Sequence, residues 1–152
     1  MKMKNEAGFS IVEMLCVLTC LSVITAISVN YYIKAKISAE NTSAIATLSL
    51  MRQNEVIYYT QRQRFARLDE LHYLHGNLGT IQDDLTLTRG PFKYDLTTTT
   101  GTPTPSDPRN LATDYLITAT RITNNAVPYV FTLDQSGTIT KVLPVEGSLG
   151  EN

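Results

Sequence analysis

The chain has 152 residues and 16.9 kDa, with 13 Lys and Arg against 14 Asp and Glu, a net charge of −1. That is enough for one domain and little more. The charge balance excludes a nucleic-acid arm built on bulk positive charge, and equally an acidic disordered tail. The two cysteines, Cys16 and Cys20, share one uncharged run, so no disulfide framework staples the rest of the chain.

That run, Met14 to Ile33, has no charged residue. As a helix of about 20 residues it covers about 30 Å, the thickness of a bilayer's hydrocarbon core. Thr19, Ser22, Thr25 and Ser28 interrupt it every third residue, with Asn30 beyond. Such hydroxyls bond back to their own backbone carbonyls or let neighbouring helices approach closely. The pattern predicts a helix that packs against other helices. Tyr31 and Tyr32 fall where an interfacial aromatic belt sits. A secretory signal is a poor description: its apolar stretch is about 7–15 residues and a small-residue cleavage site follows it. Here the run is longer and ends in Tyr31-Tyr32-Ile33-Lys34-Ala35-Lys36. Glu13, at the start of the apolar region, is also out of place in a signal. A carboxylate there costs about 2–3 kcal/mol unless it is paired or reaches the headgroups. Charge alone supports a functional carboxylate and a snorkelling one equally.

The residues around it read Gly8-Phe9-Ser10-Ile11-Val12-Glu13-Met14-Leu15, after a short leader with Lys2 and Lys4. This resembles the prepilin processing motif of type IV pilins and their pseudopilin relatives: a charged leader, Gly, Phe, and Glu four residues after the Phe. The resemblance implies that a prepilin peptidase of the inner membrane cuts between Gly8 and Phe9 and N-methylates Phe9. It implies a subunit that waits in the bacterial inner membrane as a single-pass protein in contact with lipid, leader cytoplasmic, before assembly machinery moves it into a periplasmic or extracellular filament. Lys2 and Lys4 agree with that orientation, whereas Lys34 and Lys36 on the far side weaken the charge argument. The resemblance also gives Glu13 an assembly role. Its carboxylate pairs with the Phe9 amine of a neighbouring subunit and sets axial register. Many major pilins carry a Gly or Pro part-way along this helix. This chain has no Gly between Phe9 and Gly76 and no Pro before Pro91.

The helical pattern continues past the membrane-length run. Ile33, Ile37, Ala44, Leu48, Met51 and Tyr58 share one face, with Lys36, Glu40, Arg52 and Gln53 on others. One helix is predicted from about Phe9 to about Gln63, a span of about 80 Å. Lys36 to Leu48, and Tyr58 to Phe65 followed by Leu68-Asp69-Glu70-Leu71, resemble the corresponding pilin segments, where the helix ends and a loop leads to the sheet. The chain is thereby divided into a leader (1–8), a transmembrane or filament-core half-helix (9–33), an amphipathic half-helix (34–63) and a head (64–152).

In the head, Phe92 to Thr97 alternates as a strand does. Thr97 to Asn110 is rich in Thr and Pro and reads as an irregular loop. Asp114 to Arg121 suggests a second strand. Tyr129 to Asp134 and Thr138 to Val142 flank Gln135-Ser136-Gly137 as a hairpin, with Gly137 at the positive-φ position. The expected fold class is α+β and type IV pilin-like: a long N-terminal helix packed on a small antiparallel sheet of three or four strands.

Other candidates are weaker. Cys16 and Cys20 share a helix face, but thiols in a lipid span are ordinarily packing residues. His72 and His75 have ligand spacing without a third ligand. Asp134 lies at a turn where some pseudopilins bind calcium, yet no cluster of about six oxygen ligands is evident. Asn41-Thr42-Ser43 matches a glycosylation sequon within a helix. Phe9, Tyr31, Tyr32, Tyr58, Tyr59 and Phe65 run along the helix as packing residues. No nucleophile motif, phosphate loop or carboxylate pair points to an enzyme, and no cofactor, metal or nucleic-acid partner is expected. The reading is a structural subunit of a type IV pilus that polymerises with copies of itself. The alternatives are a type II secretion pseudopilin and a single-span, membrane-anchored binding module.

Overall fold

A computed structural model describes residues 9–76, 78–98, 111, 113–122 and 129–143. The first element, α1, is a helix over Ile11–Arg62. It stops where Gln63 turns into the left-handed region, φ 58°, with its N–H donating to the Tyr59 carbonyl at 2.9 Å. Arg62 in the last turn complements the carbonyl end of the helix. The expected helix from Phe9 to Gln63 is thus present, shorter by two residues at the start and one at the end. The expected leader, residues 1–8, lies outside the described residues.

The chain divides into two units, residues 1–39 and 40–152. In the first, nearly all the described side chains are exposed; only Ile37 is half-buried. In the second, α1 buries Ala44, Thr47, Leu48, Met51, Asn54, Glu55 and Tyr58. The predicted stripe is therefore correct from Ala44 onward and is corrected at its start. Ile33 is 50% exposed.

A short second helix, α2 (Leu68–His75), follows where the sequence reading expected a loop. Leu68 and Leu71 are fully buried, one turn apart, and Gly76 closes the helix at φ 73°, donating its N–H to the His72 carbonyl. Six strands come next: β1 (Thr80–Asp83), β2 (Thr86–Arg89), β3 (Phe92–Thr97), β4 (Leu116–Arg121), β5 (Val130–Asp134) and β6 (Ile139–Leu143). They form one antiparallel sheet in the order β1-β2-β3-β4-β5-β6. Sequence reading located β3 to β6 but not β1 and β2. Those two are four residues each, and β1 buries none of its residues. Most of the expected loop from Thr97 to Asn110 lies outside the described residues.

Register aligns the inner face. Leu87, Tyr94, Ala119 and Phe131 form one row across β2 to β5, and Leu96, Ile117 and Leu133 another. All seven are buried and join Ala44, Leu48, Met51 and Tyr58 of α1 in a single core. Burying each large apolar side chain stabilises the head by roughly 1.5–3 kcal/mol. The hairpin between β5 and β6 forms as expected: Gly137 has φ 80°, and Asp134 Oδ1 accepts from the Ser136 N–H at 3.0 Å and the Thr138 N–H at 3.1 Å. Arg52 of α1 donates to the Gly137 carbonyl at 3.1 Å, tying the helix to the turn.

Candidate assembly and processing site

Phe9 and Ser10 precede the first turn of α1, and Phe9 is 78% exposed. Ser10 Oγ accepts from the Val12 N–H at 3.4 Å, while Glu13 Oε2 accepts from the Ser10 N–H at 2.9 Å. This is a reciprocal capping arrangement at the helix start, in which Ser and Glu three residues apart satisfy otherwise unpaired N–H groups. The spacing Ser10-Ile11-Val12-Glu13 carried that signal, which the sequence reading did not use. Glu13 therefore has a structural partner within its own chain. Gly8 lies outside the described residues.

Beyond the cap, α1 is long and apolar enough to cross a membrane. The hydroxyls inside the span are turned onto the helix itself. Thr19 donates to the Cys16 carbonyl at 2.8 Å, Ser22 to Thr19 at 2.8 Å, Thr25 to Leu21 at 2.6 Å and Ser28 to Ile24 at 2.7 Å. Each hydroxyl thus has an acceptor without leaving its helix, which lowers the cost of placing it in an apolar surrounding. Ile11, Leu18, Val23, Ile24 and Ile27 are all more than half exposed, as are Tyr31 and Tyr32. Cys16 and Cys20 are free and exposed.

The other candidates are placed as follows. Among the described residues no three His, Cys, Asp or Glu converge on a metal-sized site. His72 is half-buried on α2, and the side chain of His75 lies outside the described residues. Asp134 spends Oδ1 on its own turn, including the Ser136 hydroxyl at 2.5 Å, and those hydrogen bonds hold its carboxyl below the usual range. Of the aromatic series, Tyr58 is buried, whereas Tyr59 stacks on Phe65, which in turn meets the edge of Tyr115, both at 4.7 Å between ring centroids.

A polar cluster at the end of α1 escaped sequence reading. Glu55 is fully buried, and its Oε2 accepts from the Ala66 N–H at 2.7 Å. Burial pushes its carboxyl up to about 8, against the smaller opposing effect of that hydrogen bond. Nearby, Glu70 accepts from Arg64 at 2.6 and 2.9 Å, from Tyr58 at 2.8 Å and from the Arg67 N–H at 2.9 Å. Burial by itself would raise Glu70, but these hydrogen bonds outweigh it and hold the carboxyl at about 2. The available signal was spacing: Glu55 sits four residues after Met51 and three before Tyr58, on the apolar face.

Comparison with known proteins agrees with the N-terminal geometry. Residues 3–29 match the family model described as the prokaryotic N-terminal methylation motif. No curated protein and no solved structure matches the chain. The motif is typical of type IV pilins and pseudopilins and implies processing by a prepilin peptidase. The long helix packed on an antiparallel sheet is a pilin-like α+β architecture, and the proteins that typically carry this motif are non-enzymatic structural subunits. The motif and the apolar helix are consistent with anchoring in the inner membrane before assembly.

Proposed function

We propose that the chain is a structural subunit of a type IV pilus, cut between Gly8 and Phe9, N-methylated at Phe9 and polymerised through the first half of α1. The observation that carries this reading is a carboxylate, Glu13, at the head of an apolar helix segment whose described side chains are almost all exposed. Exposed apolar surface on that scale calls for lipid or for other helices. Moving from lipid into a bundle of identical helices keeps it covered.

Cleavage leaves an ammonium at Phe9. Buried among helices, that charge needs a counter-ion. Glu13 supplies one: Oε2 holds the Ser10 N–H, and a carboxylate has further acceptor sites for an amine from another subunit. Only one axial stagger places the two charges together, so the pair fixes register. The peptidase/methyltransferase and the inner-membrane assembly machinery are the further partners of this reading.

Mass spectrometry of the N-terminal peptide, from protein purified out of its native membrane, tests it directly. A chain beginning at N-methylated Phe9 is expected. A chain beginning at Met1 removes the prepilin pathway and favours the anchored binding module.

The type II secretion pseudopilin stays as a second reading on one observation. Both cysteines lie in α1, so the head has none for the disulfide that closes the C-terminal loop of many pilins. Deletion separates the two. Loss of surface filaments marks a pilus, and loss of protein export with filaments intact marks the secretion system.

A further inference from the structure

The segment between α1 and α2 is held by its N–H groups, and each goes to a different acceptor. The Phe65 N–H donates to the Leu111 carbonyl at 2.8 Å, Ala66 to Glu55 Oε2 at 2.7 Å, Arg67 to Glu70 Oε2 at 2.9 Å and Leu68 to the Asp84 carbonyl at 3.1 Å. Two of the four acceptors are carboxylates in opposite situations. Glu70 is half-buried and answered by a guanidinium. Glu55 is fully buried, and its Oε1 has no hydrogen-bond partner among the described residues. A buried carboxylate with one hydrogen bond and no ion pair among the described residues is strongly disfavoured over the neutral acid, whereas the neutral acid still accepts from Ala66.

We propose that Glu55 is a proton-controlled latch on this joint: as the neutral acid it holds the 63–67 segment against α1, and on losing its proton it releases that segment. The groups that face it fit this role. From α2 comes Glu70, a negative charge that opposes ionisation; from the joint comes Arg64, whose charge favours ionisation but is engaged with Glu70 and stacked on the Tyr58 ring at 5.1 Å. From the segment before β4 comes Tyr115, a phenol that Glu55 itself helps to keep protonated, and from α1 comes Tyr58, whose hydroxyl is committed to Glu70. Deprotonation of Glu55 places a second negative charge beside Glu70, and among the described residues the one cation facing both, Arg64, is already engaged with Glu70. The joint then opens by letting water reach Ala66, which is fully buried in the closed state.

Burial dominates the displacement of this group to about 8, so the latch works just above neutrality. The sign follows from proton linkage. Between about 4.5 and 8 the folded head holds a proton that the unfolded chain has lost, so stability falls as pH rises through that window. The latch does not depend on polymerisation and stands whether the filament is a pilus, a secretion filament or neither.

The test uses the full chain in detergent. Amide hydrogen exchange of Ala66, corrected for its intrinsic pH dependence, is expected to lose at least tenfold protection between pH 6 and 9.5. Phe65 and Leu68 should follow, and strand β3 should not. Glu55→Gln keeps an acceptor and cannot ionise, so its Ala66 protection should be flat over the same range. A flat profile in the natural chain, or an unchanged profile in Glu55→Gln, overturns the latch. Should Glu55→Gln fail to fold, carbon-detected titration of the Glu55 carboxyl in the natural chain decides. A midpoint above 7 supports the latch, and one in the ordinary carboxylate range near 4.3 overturns it.

Discussion

One helix, α1, lives by two different rules. Up to residue 39 nearly every described side chain faces outward, and the hydroxyls of Thr19, Ser22, Thr25 and Ser28 donate to carbonyls of the same helix. From Glu40 on, the helix buries a stripe spaced by three and four residues, and two of its charged side chains reach other elements: Arg52 to the Gly137 carbonyl and Glu40 to Arg121. The difference teaches where each half finds its stability. The second half is held by the head of its own chain. In the first half nearly every described side chain is exposed, an apolar surface that calls for lipid or other subunits.

Substitutions can break that contrast, and the largest effect is expected at Glu13. Glu13→Ala should leave a membrane protein with a normal head that does not enter filaments, read by electron microscopy and by fractionation of sheared surface protein. Normal filaments from this variant would remove the register role. Leu48→Ala, at a fully buried site, should cost the head about 2–5 kcal/mol in denaturant unfolding. Ile24→Ala, on the exposed half, should leave head stability unchanged and act only on assembly.

The joint between α1 and α2 gives intermediate effects. Arg64→Met removes the partner of Glu70 and should cost about 1–3 kcal/mol. Glu70 is held below its ordinary value, so the stability it provides is complete above about 4.5 and is lost as pH falls toward about 2. In Arg64→Met the carboxyl moves back toward its ordinary value, so that acid-side loss should shrink, seen by thermal unfolding at pH 2 to 6. Smaller still is Gly137→Ala. The position has φ 80°, and an added Cβ would lie 2.8 Å from Arg52 Cδ, so about 1 kcal/mol is expected. Gln63→Gly should act in the opposite sense. The left-handed position that ends α1 suits glycine, and a gain of about 0.5–1 kcal/mol is expected.

What could be read from sequence follows the same division. Composition and periodicity exposed the first half of α1 because an uncharged run and a lone carboxylate are local facts. The strands β3 to β6 were legible through alternation and the Asp134-Gln135-Ser136-Gly137 turn. The strands β1 and β2 were not, because a four-residue strand takes its identity from its neighbour. The pairing of Leu87 with Tyr94 makes β2 a strand, and that is a tertiary event. The helix α2 was missed for a related reason: eight residues are too few for periodicity, although Gly76 marked its end. At the candidate site, Glu13 was found as an anomaly of charge, while its bond to Ser10 was hidden in a spacing that also occurs by chance. Glu55 was missed because a charged residue on an apolar stripe is ordinarily read as the stripe's edge.

The order of the sheet has a consequence for how the head is made. Each strand pairs with the one just before it in the chain, so no strand waits for a distant partner. Proteins rich in such local pairings fold faster than those that close long loops first. On the proposed reading, in which the head crosses the membrane after its helix, the sheet can grow strand by strand as the polypeptide emerges. Vectorial delivery and meander topology then run in the same direction, and the interval during which an unpaired apolar strand meets the medium is kept short.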